Sequence, residues 1–331
     1  MAARRPLITV VIPTRNRVEY LLEAVRSVQQ QSYEHWECVV VDDASTDGTA
    51  DRLRAMIDGR IRVLILGRHH ERSRARNAGL AQSAGSYVLF LDDDDMLTKE
   101  ALGRLLKAAT RRKCAAAIGS SRRFTEDGMS RRQIVHPRVP WTGEVWRETV
   151  FGWQTVPGTT LFARAALERA GGWDEGVSWA EDIDLLLRVS ALGAFAFVPT
   201  TVLAYRLHAG STRATIEQAD MTDVRGRYVE TLPRDRSLTA LQILEAGRAF
   251  DRGESAFRAM NLRQADKELR RALQLAPWVS RSFLLGPSVT ALRAKLALGS
   301  LTGPAAMASV RGIRARGRSL FQRDPDRPEG H

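Results

Sequence analysis

Tyr87-Val-Leu-Phe-Leu91 is a short apolar run that passes directly into Asp92-Asp93-Asp94-Asp95. The run reads as a strand buried on both faces. Carboxylates about 4 Å apart repel by roughly 1 kcal/mol per pair even in water, and by more near a protein surface, so a cation is expected to offset the cluster. Hard divalent ions such as Mg²⁺ or Mn²⁺ take one or two carboxylates and complete their shell with phosphate oxygens and water. Carrying the strand's alternation through the acidic run puts Asp92 and Asp94 on one side and Asp93 on the other. That arrangement suits an Asp-x-Asp pair gripping a metal–diphosphate while its neighbour reaches a ribose hydroxyl. The competing reading is a solvated acidic turn capping the next helix, and Asp95 is assigned that part.

Upstream, β and α signals alternate, which argues for a mostly parallel sheet with helices on its faces. Leu7-Ile-Thr-Val-Val-Ile12 reads as a strand stopped by Pro13, followed by helical spacing at Tyr20, Leu21, Ala24, Val25 and Val28. Further strands are expected at 37–41 and 61–65, with Ser45, Thr46 and Asp47 as caps for a helix through Leu53 and Met56. A helix at 73–84 closed by Gly85, another at 99–111 and a strand at 115–118 complete the alternation. Ligands in such sheets gather beyond the carboxyl ends of strands. Three polar clusters fall there: Pro13-Thr14-Arg15-Asn16, Asp42-Asp43, and Asp92 to Asp95. Farther on, 160–163 reads as a strand, then a short helix to Ala170, Gly171-Gly172, a helix at 181–192, and strands at 195–198 and 202–207.

From about residue 215 the pattern is helical. Small and apolar residues at helical spacing between 240 and 277 resemble one tetratricopeptide-like hairpin, expected to pack on the preceding domain because such repeats are rarely stable singly. The domains read as 1–214 (halves 1–121 and 122–214), a helical extension at 215–310 and a basic, disordered tail at 311–331. A helix at 289–298 mixing apolar residues with Arg293 and Lys295 packs on its own domain or, alternatively, lies peripherally on an anionic membrane face.

The net charge of +12 over 331 residues is compatible with nucleic acid, an anionic membrane or anionic small substrates, and by itself selects none. Cys38 and Cys114 lack metal-ligand spacing and read as buried free thiols of a reducing compartment. The amino terminus carries no signal-peptide h-region, and no apolar stretch reaches membrane-spanning length. The expected location is cytoplasmic, at most peripheral to the inner face of the plasma membrane.

Several motifs together resemble glycosyltransferase family 2, inverting enzymes of the GT-A fold. They are Val10-Val-Ile-Pro-Thr-Arg-Asn16, Val40-Val-Asp-Asp-Ala-Ser-Thr-Asp-Gly-Thr49, Ala75-Arg-Asn-Ala-Gly-Leu80, Phe90-Leu-Asp-Asp-Asp-Asp95, Gly171-Gly-Trp-Asp-Glu175, Glu181-Asp182 and Tyr205-Arg-Leu-His208. They follow the family's order over about 7–214. The resemblance implies an α/β GT-A domain with a Rossmann-like, mostly parallel mixed sheet, and a nucleotide-sugar donor, UDP favoured. It implies a Mn²⁺ or Mg²⁺ cofactor and a glycan or lipid-linked acceptor of cell-surface polysaccharide synthesis. Pro13 and Arg15 would line the nucleobase pocket, Arg15 standing where the family often has tyrosine. Asp43 would bind the base, with Asp42 supporting its loop. Arg76 would help hold the nucleotide, Asp93 the ribose, and Asp92 with Asp94 the metal and diphosphate. His208 would be a further metal ligand or a diphosphate donor. Asp182, next to Glu181, would be the catalytic base, its place at a helix N-terminus favouring the ionised form. Trp173 and Trp179 flank the acceptor side, Trp173 reading better as core.

A sugar-nucleotide nucleotidyltransferase is the alternative enzyme, disfavoured because Pro13-Thr-Arg-Asn-Arg17 lacks the glycines of a triphosphate loop. A nucleic-acid-binding or scaffold protein would have no reason to set aspartates at three strand ends, so no nucleic-acid partner is expected. A non-catalytic glycan-binding relative is the remaining alternative.

Overall fold

The structure is a computed structural model that describes residues 5–54, 58–125, 128–135, 142–208, 218–259 and 261–278. The 289–298 helix and the 311–331 tail lie outside the described residues. Two compact units divide the chain at 244/245.

The first unit is built on a nine-stranded sheet. Its leading strands are β1 (Ile8–Thr14), β2 (Trp36–Asp42), β3 (Ile61–Ile65) and β4 (Tyr87–Phe90). Then come β5 (Met96–Leu97), β6 (Ala116–Thr125), β7 (Gly128–Val135), β8 (Thr160–Ala163) and β9 (Phe195–Arg206). The order is β3-β2-β1-β4-β8-β6-β9-β5, with β7 paired to β6. The first four strands are parallel; β8 runs antiparallel to both β4 and β6. The chain leaves β1 towards β2 and β3 and returns on the other side at β4, so a crevice opens beyond the carboxyl ends of β1 and β4.

Alternation along the central strands explains the layers. Ile8, Val10, Ile12, Cys38, Val40, Leu89 and Leu91 face helices α1 (Val18–Gln29) and α4 (Ala101–Arg112) in one core. Val11 and Val41 face α3 (Arg72–Gln82), whose Gly79 lies so close that an added Cβ would sit 2.4 Å from Val11 Cγ1. Cys38 and Cys114 are both buried free thiols.

Pro13 does not stop β1; it lies inside the strand opposite Val41. Val11 O accepts from Leu91 N, so odd-numbered residues of β1 aim their backbone at β4, whose pairing ends at Val11. Proline therefore sits where no ladder donor is required. The two runs expected at 195–198 and 202–207 are one strand, β9. The strand expected at 115–118 extends to Thr125, because its outer half pairs with β7 and β9.

Helices α2 (Thr49–Arg54), α5 (Trp146–Phe151), α6 (Arg164–Ala170), α7 (Glu181–Ser190) and α8 (Gln218–Glu230) also belong to the first unit, with α7 packed against α8. In the second unit, the carboxyl-terminal part of α9 (Arg234–Arg258) and α10 (Leu262–Leu275) are helical, with Asn261 capping α10 by accepting from Gln264 N at 3.2 Å. No helix of the described residues is long and apolar enough to cross a membrane.

Candidate active site

Thr14, the last residue of β1, donates its hydroxyl to Asp93 Oδ2 at 2.8 Å across the β1/β4 crevice. The chain beyond β4 is a turn, closed by Asp95 N donating to Asp92 O at 3.1 Å, rather than a continued strand. The expected alternation of the aspartates therefore does not hold. One nitrogen of Arg17 contacts both Asp93 Oδ1, at 3.2 Å, and Asp94 Oδ2, at 2.9 Å, while Asp92 turns to Arg76. Asp95 is not a solvated helix cap either: it is buried and accepts the backbone N–H of Arg206 at 2.9 Å.

Each carboxylate lives in a different field. Burial pushes Asp93 up to about 6 against the pull of Arg17 and Thr14, and raises Asp95 well above the usual range. Burial would lower the pKa of Arg17, but Asp93 and Asp94 outweigh it and hold it raised.

Asp94 Oδ2 also lies 3.0 Å from His208 Nε2, which β9 delivers to the turn. Arg206, two residues earlier, fixes this approach. Its guanidinium lies between the rings of Tyr20 and Phe124, at 4.6 and 4.5 Å, pairs with Glu23, and donates through Nε to Asp94 O at 2.9 Å. Adjacent ligands of an octahedral ion at ~2.1 Å lie roughly 3 Å apart, so the Asp94–His208 pair fits two neighbouring positions of a divalent ion. No group of three or more His, Cys, Asp or Glu forms a ligand set among the described residues. A site with so few protein donors suits an ion that keeps positions for phosphate and water.

Arg76 on α3 is the centre of the other half. It is buried and donates to Glu181 Oε1 and to Asp92 Oδ1, both at 2.8 Å, while its guanidinium lies 4.4 Å above the Trp173 ring. Trp173 is core, edge-on to Phe90, whereas Trp179, two residues before Glu181, is 48% exposed. Asp182 stands in the first turn of α7. Its helix-end position was expected to favour the ionised form, but burial dominates. Desolvation first, then the charge of Glu181, push Asp182 up to about 6 against Arg76 and the Ile183 N–H.

At the end of β2, Asp42 is buried and accepts from Ser45 N at 2.9 Å, which shapes the following loop. Asp43 Oδ2 lies 2.7 Å from His69 Nδ1, and Asp43 Oδ1 accepts from His70 N at 2.8 Å. Pro13 is partly buried in β1 and Arg15 exposed at its tip. Asn16 Oδ1 accepts from Thr46 N at 2.7 Å, clasping the β1 and β2 loops. Of the four non-glycine residues with positive φ among the described residues, Asn16 and Ala44 belong to these loops and Ala180 immediately precedes Glu181 and Asp182. Strain of this kind persists where the surroundings over-determine the backbone.

Thus Asp42, Asp43, Asp92, Asp93, Asp94, Arg76, Glu181, Asp182 and His208 all come to one edge of the sheet. Sequence reading missed Arg17, His69 and His70. A signal for Arg17 was present, since an acidic run calls for a nearby cation.

Residues 9–169 match the family described as Glycosyl transferase family 2. The Bacillus subtilis protein TuaG, named for teichuronic acid biosynthesis, is 36% identical over 155 residues, 46% of this chain and 62% of that protein. The Rhizobium meliloti succinoglycan biosynthesis protein ExoO is 28% identical over 94% of this chain and 88% of its own. The chain spans less than two thirds of TuaG, and only 15% of the Myxococcus xanthus O-antigen biosynthesis protein RfbC. Among solved structures, S. aureus TarS in complex with UDP-GlcNAc superposes with a TM-score of 0.62 at 20% identity over 87% of each chain. The Pyrobaculum calidifontis mannosyltransferase with GDP-Man and Mn²⁺ superposes with a TM-score of 0.58 at 20% identity, over 97% of this chain and 88% of that one. These likenesses establish the GT-A fold. With the ordered motifs on the carboxyl edge of that sheet, they mark residues 9–169, just under half of the chain, as matching glycosyl transferase family 2.

Proposed function

We propose that the domain is an inverting glycosyltransferase that moves a sugar from a nucleoside diphosphate, UDP favoured, to a hydroxyl of a glycan or lipid-linked acceptor in cell-surface polysaccharide synthesis. The observation that carries this reading is Arg76. It ties the acidic turn to the Glu181–Asp182 corner, so that a diphosphate end and a basic carboxylate share one crevice.

Asp182 takes the proton of the acceptor hydroxyl. That oxygen bonds to the anomeric carbon as the bond to the diphosphate breaks, which inverts the centre in one displacement. A carboxylate with a pKa of about 6 is ionised at neutral pH yet more basic than a solvated aspartate, as a general base requires. Asp94 and His208 would hold Mn²⁺ or Mg²⁺, which when bound neutralises charge on the departing diphosphate. Asp92 is drawn towards Arg76, which narrows the ligand pair foreseen from sequence. Asp43 would accept from the base, Pro13 and Arg15 would line its pocket, and Asp93 would face the ribose. Relatives named for teichuronic acid and succinoglycan synthesis support the polysaccharide assignment.

The test is a thermal-shift and calorimetric screen of UDP, dTDP and GDP with and without Mn²⁺, followed by transfer assays with the matching sugar nucleotides. Metal-dependent stabilisation by UDP, abolished by Asp94→Ala, is the expected result. Failure of every nucleotide to bind in the presence of Mn²⁺ would overturn the reading.

A further inference from the structure

Three arginines approach the acidic turn, and they differ in freedom. The side chain of Arg76 is 3% exposed and held by two carboxylates. That of Arg206 is 6% exposed and clamped between two rings. The side chain of Arg17 is 36% exposed, and the residue stands at the N-cap of α1 in the loop after β1. Its neighbours Arg15 and Asn16 are exposed. Yet Arg17 contacts Asp94 Oδ2, the same oxygen that faces His208 Nε2.

We propose that Arg17 is a built-in counter-cation that occupies Asp94 until a divalent ion arrives with its nucleotide, and then passes its charge to the incoming diphosphate. This rests on the metal and diphosphate reading above. A divalent ion on Asp94 Oδ2 and His208 would put two positive centres around one oxygen, a few ångströms apart in a partly buried site where screening is weak. One must withdraw, and Arg17 has the solvent-facing room to do so. Its planar fork suits phosphate oxygens as well as it suits carboxylates. Asp93 keeps Thr14 as a partner when Arg17 leaves. The consequence is energetic coupling: the metal alone competes with Arg17 and binds weakly, whereas the metal with a diphosphate does not.

The experiment is Mn²⁺ binding, followed by the EPR signal of free Mn²⁺ and by calorimetry, with and without UDP. It compares the wild-type chain with Arg17→Gln and Arg17→Lys, each checked for folding by its melting temperature. Arg17→Gln is expected to bind Mn²⁺ alone about tenfold more tightly than wild type and to lose about tenfold of the UDP–Mn²⁺ coupling. Arg17→Lys, which keeps the charge, is expected to stay near wild type. Equal tightening in both variants would assign the effect to packing and overturn the proposal. So would an Arg17→Gln protein no tighter for Mn²⁺ than a wild type that binds Mn²⁺ with UDP, and that result would leave the metal reading intact. No Mn²⁺ bound by any of the three, even with UDP, would overturn both.

Discussion

Asp94 and His208 are 114 residues apart in the chain and 3.0 Å apart in space. That contact is made by β9 returning past the acidic turn, with Arg206 pinning Asp94 O and Asp95. If the pair holds the metal, each residue should matter to Mn²⁺ more than to the fold. Asp94→Ala is expected to remove Mn²⁺-dependent UDP stabilisation. His208→Ala, which leaves the carboxylate, should raise the Mn²⁺ needed for half-maximal activity by about tenfold, the equivalent of about 1.4 kcal/mol. Metal titration of nucleotide binding checks both.

Asp182, the proposed base, carries a cost in stability. Its folded-state pKa of about 6 lies above the ordinary aspartate value of 3.8, so between those pH values the folded chain holds the extra proton. Stability from this group is therefore greatest at low pH, declines as pH rises through 4–6 and stays reduced above it. At pH 7.5, Asp182→Asn is expected to stabilise the chain by about 1 to 2 kcal/mol, a rise in Tm of a few degrees. It should retain UDP binding while losing about 10²- to 10⁴-fold in transfer. The wild-type rate should fall as pH drops through about 6. Full turnover by the variant would remove Asp182 from the chemistry.

The early strands were readable because burial on both faces leaves continuous apolar runs, as in Val39 to Val41 and Val88 to Leu91. Helices α1 and α4 were readable because each buries one face on those strands. Long-range pairing was not. β5 is two residues long and exists only because it meets Leu203 and Ala204. The outer half of β6 carries Arg122 and Arg123 and is a strand because β7 and β9 flank it. At the site, residue types at strand ends located the carboxylates, but their partners depended on the turn. Arg15 and Arg17 look alike in Pro13-Thr-Arg-Asn-Arg17, and only the geometry sends Arg17 to Asp93 and Asp94.

If Asp43 accepts from the base, nucleobase recognition and metal binding are separable. The two oxygens of Asp43 meet His69 Nδ1 and His70 N well away from the Asp94–His208 pair in sequence and on a different strand end. Asp43→Ala is expected to weaken UDP binding by about 1.5 to 3 kcal/mol, as for a lost charged hydrogen bond, with Mn²⁺ binding in the absence of nucleotide unchanged. Calorimetry with each ligand separately distinguishes this from general unfolding, which would weaken both.

Arg76 gives the sharpest coupling between fold and chemistry, because one buried guanidinium serves two carboxylates 89 positions apart (181 minus 92). Removing it strands Asp92 and Glu181 near each other without a cation, a loss of about 3 to 5 kcal/mol when a buried pair is broken. It also removes the main attraction that lowers the pKa of Asp182. Arg76→Gln is therefore expected to melt earlier, and the acid limb of its pH–rate profile should move above the wild-type midpoint near 6. A purely structural arginine would lower stability and leave that midpoint in place. Residual activity measured from pH 5 to 9, at a temperature where the variant stays folded, decides between the two.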